Sequence, residues 1–426
     1  MLWGHMPSLG KTTDRRALLA GLSTAALGLM GAPVFAQTQG LFYPTYPKPG
    51  TPKLEGADSS RRIIDPPAKD YWPYARISGA GRPVTKATQD GGWLSGLSEV
   101  SYKGPEPRQY PIAPWGQADS ASAVKSGKLP AIRPIWDAHI RDTIVCLGGD
   151  GFYYMTGTTG DNCWAVNDGV ELWRSRDLKA WDYLGLVWSI DRDGTWEQNW
   201  TARAGVPFRA LWAPEIHFLG GNFYICHCIS GVGIGVLKST SGRAEGPYAH
   251  VLSDKPIKGG IDSTLFEAAD GKIYLSWGAA TKIREIKPDF SDFAGDWQDL
   301  VFADDGVDPR AVKAAKPLRR VGFEGATFFR ANGKYYVGAC NKDEGRYSFW
   351  FASSDNLLGP YSGRHEGPPG GGGGNLFRDK TGRWWQTFFG NDDQMPFREK
   401  PGLIAIEFDK DGRVVASRDQ PFKPFV

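Results

Sequence analysis

The sequence reads as all-β, a five-bladed β-propeller with an irregular N-terminal extension, and three observations say so. A turn glycine followed by a short run ending in Tyr or Trp occurs five times, at Gly151, Gly221, Gly271, Gly333 and Gly382. The apolar, aromatic run after each glycine suits the second strand of a hairpin, and the segment before it is equally strand-like. Intervals of 70, 50, 62 and 49 residues between these glycines fit a four-stranded blade rather than a helical repeat.

Composition agrees with this reading. The 426 residues include 55 Gly and are 13% aromatic, which suits pleated sheet with many tight turns, and no long amphipathic helical period is present. A formal net charge of +3 with scattered Lys and Arg leaves no electrostatic footprint for nucleic acid. A near-neutral, Trp-rich chain instead suits carbohydrate, whose C–H faces stack on aromatic rings.

Residues 1–36 read as an export signal. Arg15 and Arg16 precede the apolar run 17–30, and Val34 and Ala36 supply the small residues before a cleavage point near Gln37. That run is too short to span a bilayer, so no membrane span is expected. The arginine pair followed by Ala-Leu-Leu resembles a twin-arginine signal, with Asp14 in place of the usual Ser or Thr. An ordinary secretory signal is the alternative, and both predict a periplasmic or secreted protein. Residues 37–130 carry no cassette, and Pro44, Pro47 and Pro49 exclude a regular helix or central strand there. The propeller is expected to occupy 131–426.

Within the propeller the leading strands are 143–147, 216–219, 263–267, 326–330 and 375–378. Phrases at 241–248 and 354–361 both begin with Ser and end in Gly-Pro-Tyr, with a cognate at 175–181, and read as outer-strand repeats. Trp188, Trp196, Trp200 and Trp212 fall in the long interval between the first two cassettes, an insertion placed to wall one side of the site. The glycine run 370–374 reads as a flexible rim near the axis.

Five cysteines (Cys146, Cys163, Cys226, Cys228 and Cys340) cannot all pair, and the apolar strand contexts of Cys146, Cys226, Cys228 and Cys340 predict buried thiols. On a strand, Cys226 and Cys228 share a face while His227 points away, which argues against a metal site there.

Carboxylates carry the functional signal. Nine residues before the turn glycine stand Asp142, Asp262 and Glu324; in the second cassette Glu215 lies six residues before, and in the fifth the ninth position is Gly373. First strands of propeller blades line the central channel, so equal offsets predict carboxylates at one height around one axis. Such crowding is costly unless the site does chemistry or holds a metal.

From about Ile140 to its end the chain resembles glycoside hydrolase family 43, five-bladed propellers that act as inverting glycosidases. The matching stretches are Arg141-Asp142-Thr143-Ile144, Trp212-Ala213-Pro214-Glu215-Ile216-His217, Gly260-Ile261-Asp262 and Phe323-Glu324-Gly325-Ala326, in order, together with the phrase 169–181. The resemblance implies Asp142 as general base, Glu324 as general acid and Glu215 as the residue that tunes the acid and orients substrate. An inverting hydrolase needs base and acid roughly 6.5–9.5 Å apart to admit a water. Asp262, Trp164, Trp212, Arg346 and His217 are the candidate substrate contacts, with His139 and His217 also placed to support the acids or the core. Asp137 is the rival base, but it lies too far ahead of Phe152 to share one hairpin with it.

The chain departs from the family pattern at Thr143, where Pro is usual, and at Glu215, where Asp is common. Gly373 or Gly374 replaces a histidine that helps hold a central ion in many members, which argues against calcium. No metal ligand and no cofactor are assigned. The expected partner is an oligosaccharide or polysaccharide, with α-L-arabinofuranosides and β-D-xylosides first by resemblance and a pocket suited to exo action. Two other readings are a non-catalytic sugar-binding propeller and a retaining fructosidase-type enzyme. Crowded acids speak against the first. Arg-Asp-Thr and Glu-Gly-Ala, standing where the second carries Asn-Asp-Pro-Asn and Glu-Cys-Pro, speak against the other.

Overall fold

Five antiparallel four-stranded sheets follow one another along the chain, each in simple sequential order. The computed structural model describes residues 135, 140–159, 167, 169–198, 210–229, 232–309, 319–343, 346–389 and 401–421. Residues 1–130, with the expected signal and extension, lie outside them.

Blade one is β1 (Arg141–Leu147), β2 (Tyr153–Thr158), β3 (Gly169–Ser175) and β4 (Asp182–Ser189), followed by a single helical turn at Ile190–Asp193. Blade two is β5 (Leu211–Leu219), β6 (Asn222–Ile229), β7 (Gly233–Ser239) and β8 (Tyr248–Val251). Blade three is β9 (Ser263–Glu267), β10 (Ile273–Trp277), β11 (Lys282–Ile286) and β12 (Gln298–Asp299). Blade four is β13 (Glu324–Ala331), β14 (Lys334–Asp343), β15 (Arg346–Ser354) and β16 (Ser362–Glu366). Blade five is β17 (Leu376–Arg378), β18 (Trp384–Phe389), β19 (Pro401–Phe408) and β20 (Val414–Ala416). First strands neighbour one another in a ring, β1 beside β5, then β9, β13 and β17, which returns to β1.

The five turn glycines all have positive φ, from 78° at Gly151 to 87° at Gly382, so each is glycine for a backbone reason. Their hairpins are of two lengths. In blades two and four only two residues link the strands, Leu219 pairing with Asn222 and Ala331 with Lys334. In blades one, three and five the connection is longer, and the glycine N–H bonds the carbonyl three residues back, as Gly151 does to Gly148 at 3.0 Å.

Each seam between blades has its own apolar core. Trp188 and Val170 meet Ile216 and Phe223 between blades one and two; Cys228 and Val236 meet Leu265 and Leu275 between two and three. Phe266 meets Val337 and Tyr361 at the next seam, and Phe349 meets Phe388 and Ile404 between four and five. Met155 and Trp173 meet Phe377 and Trp385 where the ring closes. Burying side chains of this size contributes about 1.5–3 kcal/mol each, so the seams rather than the strand ends hold the ring.

Among the described residues no strand is exchanged where the ring closes, because blades one and five are each built from consecutive strands. Beside that apolar core, closure uses a parallel bridge between Thr143 and Gly374, a bond from Ile135 N to Pro401 O, and Asn375, whose Oδ1 accepts from Val145 N at 3.0 Å while its Nδ2 donates to Val145 O at 2.9 Å. Asn375→Ala is expected to cost about 1–3 kcal/mol, because both backbone groups of Val145 lose a partner. A melting curve checks this: an unchanged Tm means that the bond pair is dispensable.

The repeated outer phrases are one structural device. Tyr248 and Tyr361 each donate a hydroxyl to the carbonyl four residues earlier, at 2.6 and 2.7 Å, and Trp181 Nε1 reaches Leu178 O at 3.3 Å in the cognate. The glycine run departs from expectation. Rather than a flexible rim, 370–374 is buried. A Cβ on Gly372 would sit 2.5 Å from Tyr347 Cδ1, and one on Gly373 would overlap the Phe389 ring. Among the described residues no helix is long and apolar enough to cross a membrane.

Candidate active site

Every first strand, or the short segment that leads into it, has a backbone position in the left-handed region: Asp142 (φ 51°), Ala213 (42°), Asp262 (56°), Gly325 (67°) and Gly373 (69°). In blades one, two and four a break in ladder register marks the same place, between Arg141 and Ile144, Trp212 and Glu215, and Glu324 and Thr327. A bulge re-aims the side chains around it, and the carboxylates hang on these bulges. Asp tolerates positive φ better than most L-residues because its side chain is short and polar.

The expected common register is corrected in blade four. Asp142 and Asp262 occupy the left-handed position itself, Glu324 stands one residue before Gly325, and Glu215 two after Ala213. Counting from the turn glycine overshoots by one there, because the blade-four hairpin has the shorter turn.

The four acids nevertheless converge. Burial, then the charges of Glu324, Asp142 and Glu215, push Asp262 well above the usual carboxylate range. Glu324 is raised by burial and by Asp142, against the pull of a Tyr347 hydrogen bond. Glu215 is raised by burial and Asp142, opposed by His217 and Thr264. Nearby cations moderate the cluster: Arg141 and Lys342 both lower Glu324, and the Arg141 guanidinium lies 4.4 Å over the Phe389 ring.

A second device holds the bulges. Thr158, Cys228 and Cys340 each stand seven residues after a turn glycine, on the second strand of three blades. Thr158 donates its hydroxyl to Asp142 Oδ2 at 2.6 Å and accepts the N–H of Ala213, the blade-two bulge, at 2.8 Å. The Asp262 backbone hydrogen-bonds the Cys228 thiol, and Gly373 N donates to Cys340 Sγ at 3.0 Å. Blade three carries Gly278 at this position, and there Asp262 Oδ2 itself takes the N–H of Gly325 at 2.8 Å. Asp262 therefore fixes the backbone that carries Glu324.

His217 Nε2 lies 3.1 Å from Glu215 Oε2 and turns that acid toward it. Trp212 is half-buried against the core between blades two and three, and its carbonyl accepts from the Cys228 thiol at 3.3 Å. Trp164, Asp137, His139, Cys163, Trp200 and the side chain of Arg346 lie outside the described residues. The described cysteines are free thiols, buried as expected at Cys226, Cys228 and Cys340 but only partly buried at Cys146. His227 faces away from Cys226 and Cys228, with Nε2 2.7 Å from the buried Glu197. Sequence reasoning passed over Thr158, Tyr347 and Cys340; the signal was present in the fixed distance of Thr158 and Cys340 from their turn glycines.

Raised carboxylates make the site unfavourable to stability at neutral pH. A group that holds its proton more tightly when folded stabilises the protein most below its unfolded pKa, and that contribution is lost as pH rises through the folded pKa. Asp262→Asn keeps an acceptor for Gly325 and removes the charge. It is expected to raise Tm at pH 8, to change it little at pH 4 and to lower activity. A Tm that falls equally at both pH values overturns this.

Fold and site define a propeller of the glycoside hydrolase class. The chain belongs to the glycosyl hydrolases family 43, which matches residues 131–414. It is 28% identical over 208 residues to the beta-D-galactofuranosidase xynD of Aspergillus niger, covering 44% of this chain and 53% of that protein. It is 23% identical over 273 residues to the extracellular exo-alpha-(1->5)-L-arabinofuranosidase ArbA of Cellvibrio japonicus, covering 58% and 72%. The chain thus spans about half the length of the first relative. A bifunctional GH43-CE protein of Bacteroides eggerthii shares the fold, with a TM-score of 0.51 at 22% identity over 69% of this chain and 36% of that one.

Proposed function

We propose that the protein is an exported, inverting glycoside hydrolase that removes terminal sugars from polysaccharide-derived glycosides. The observation that carries this reading is the ring of converging carboxylates, with Asp142 and Glu324 on different blades and Glu324 raised above its ordinary range. Glu324 keeps a proton for the leaving oxygen while Asp142, held by Thr158, takes one from the attacking water. Glu215 is the expected tuning residue, and Asp262, which takes the N–H of Gly325 beside Glu324 and feels the Glu324 charge, suits a share in that role. Glu215, paired with His217, suits hydrogen bonding to sugar hydroxyls. Trp164, Trp212 and Arg346 remain candidate sugar contacts.

α-L-Arabinofuranosides and β-D-xylosides are the first substrates to examine, and the galactofuranosidase among the relatives adds β-D-galactofuranosides. The reading extends to removal of residues 1–36 on export, with 37–130 as an extension and 131–426 as the catalytic propeller.

Hydrolysis of a panel of aryl glycosides, with the first-formed product anomer followed by NMR, tests the proposal. Turnover with inversion supports it, and a retained anomer overturns the mechanism. Binding of a sugar without turnover of aryl or natural glycans identifies a sugar-binding propeller instead.

A further inference from the structure

Tyr347 is buried on β15, and its hydroxyl donates to Glu324 Oε1 at 3.0 Å. Its place is fixed from several sides. The ring lies 6.3 Å from Phe323 and 5.9 Å from Phe389, and it fills the space that a side chain on Gly372 would need. Cys340, which accepts the Gly373 N–H, also hydrogen-bonds Tyr347. Burial and the charges of Cys340, Glu324, Asp142 and Asp262 hold the phenol well above its usual range, and burial does the same to the Cys340 thiol; with that S–H turned to the phenol oxygen, the one proton of Tyr347 goes to Glu324 Oε1.

A protonated carboxyl group has one oxygen that donates and one that accepts. With Oε1 engaged by a permanent donor, the proton of Glu324 belongs on Oε2. We infer that Tyr347 is a positioning residue that directs the proton of Glu324 onto Oε2, the oxygen that delivers it to the leaving group. This rests on the reading of Glu324 as the general acid. In the step, the Oε2–H proton passes to the glycosidic oxygen as its bond to the anomeric carbon breaks. The water oxygen bonds that carbon, and the water proton goes to Asp142. Glu324 is left as a carboxylate still held at Oε1, with Arg141 and Lys342 stabilising its charge and Asp142 opposing it.

The experiment compares wild type, Tyr347→Phe and Glu324→Gln on two aryl glycosides of the best sugar, one with a good and one with a poor leaving group. Tyr347→Phe keeps the ring that packs on Phe389 and removes only the hydroxyl. It is expected to lower kcat/KM by roughly 10- to 100-fold on the poor leaving group, the range of a hydrogen bond to a charged group, and by no more than about 3-fold on the good one. The alkaline limb of the pH profile should move up, because the bond that lowers Glu324 is gone. Equal losses on both substrates with the limb unmoved would show a merely structural tyrosine and overturn the inference. Gly372→Ala, which displaces the ring but keeps the hydroxyl, should show the same leaving-group dependence as Tyr347→Phe. If Glu324→Gln hydrolyses the poor leaving group as wild type does, the acid assignment itself fails. If Glu324→Gln is inactive there and Tyr347→Phe behaves as wild type, only the inference fails.

Discussion

Glu324→Gln is expected to lower kcat/KM on glycosides of poor leaving groups by roughly 10²- to 10⁴-fold, the contribution of a positioned general acid. The amide keeps an oxygen for the Tyr347 hydroxyl, so the fold and the backbone around Gly325 should persist and Tm should hold or rise. Activated aryl glycosides need little protonation and should lose far less. The pH profile follows from the same shift. Burial and Asp142 raise Glu324, so the wild-type alkaline limb should lie above the ordinary carboxylate range, activity falling as pH rises through it. In Glu324→Gln that limb should disappear. A variant that loses activity evenly across leaving groups and keeps its alkaline limb would falsify the assignment.

Asp142→Asn should be at least as severe, roughly 10²- to 10⁴-fold, and indifferent to the leaving group, because activation of water is lost in every case. Asparagine is the informative substitution. At φ 51° it tolerates the left-handed backbone as aspartate does, and its Oδ1 can still accept from Thr158, whereas alanine would add backbone strain to the chemical loss. Steady-state kinetics beside a melting curve separate the two effects. Activity within threefold of wild type would move the base elsewhere on the ring.

Much of this molecule is legible in its sequence because the blade is a local unit. The turn glycines need positive φ, so they mark each hairpin, and β9 begins and ends where the cassette count places it. The four acids follow from their distance to those turns. What was less legible depends on contacts between blades. Glu324 slips by one residue because a two-residue turn at Asn332 and Gly333 replaces the longer connection of blade one, and a one-residue slip in a strand changes the face unless a bulge restores it. Thr158, Cys228 and Cys340 read as ordinary strand residues because their partners, the bulges of the next blade, lie more than 30 residues away. Gly372 is small to admit Tyr347 and Gly373 to admit Phe389, but composition alone suggests flexibility.

The seam at Asn375 has a consequence for how the ring assembles. Each sheet joins strands that are consecutive in sequence, whereas Asn375 and Val145 are 230 residues apart. Loop-closure entropy favours the short connections, so blades can form early and the seam is the natural last step. The Val145 amide, whose acceptor is Asn375, then becomes a reporter of ring opening. Its exchange with deuterium should track partial opening of the seam, ahead of the amides inside any one blade, and Asn375→Ala should accelerate exchange across β1 before the outer strands respond.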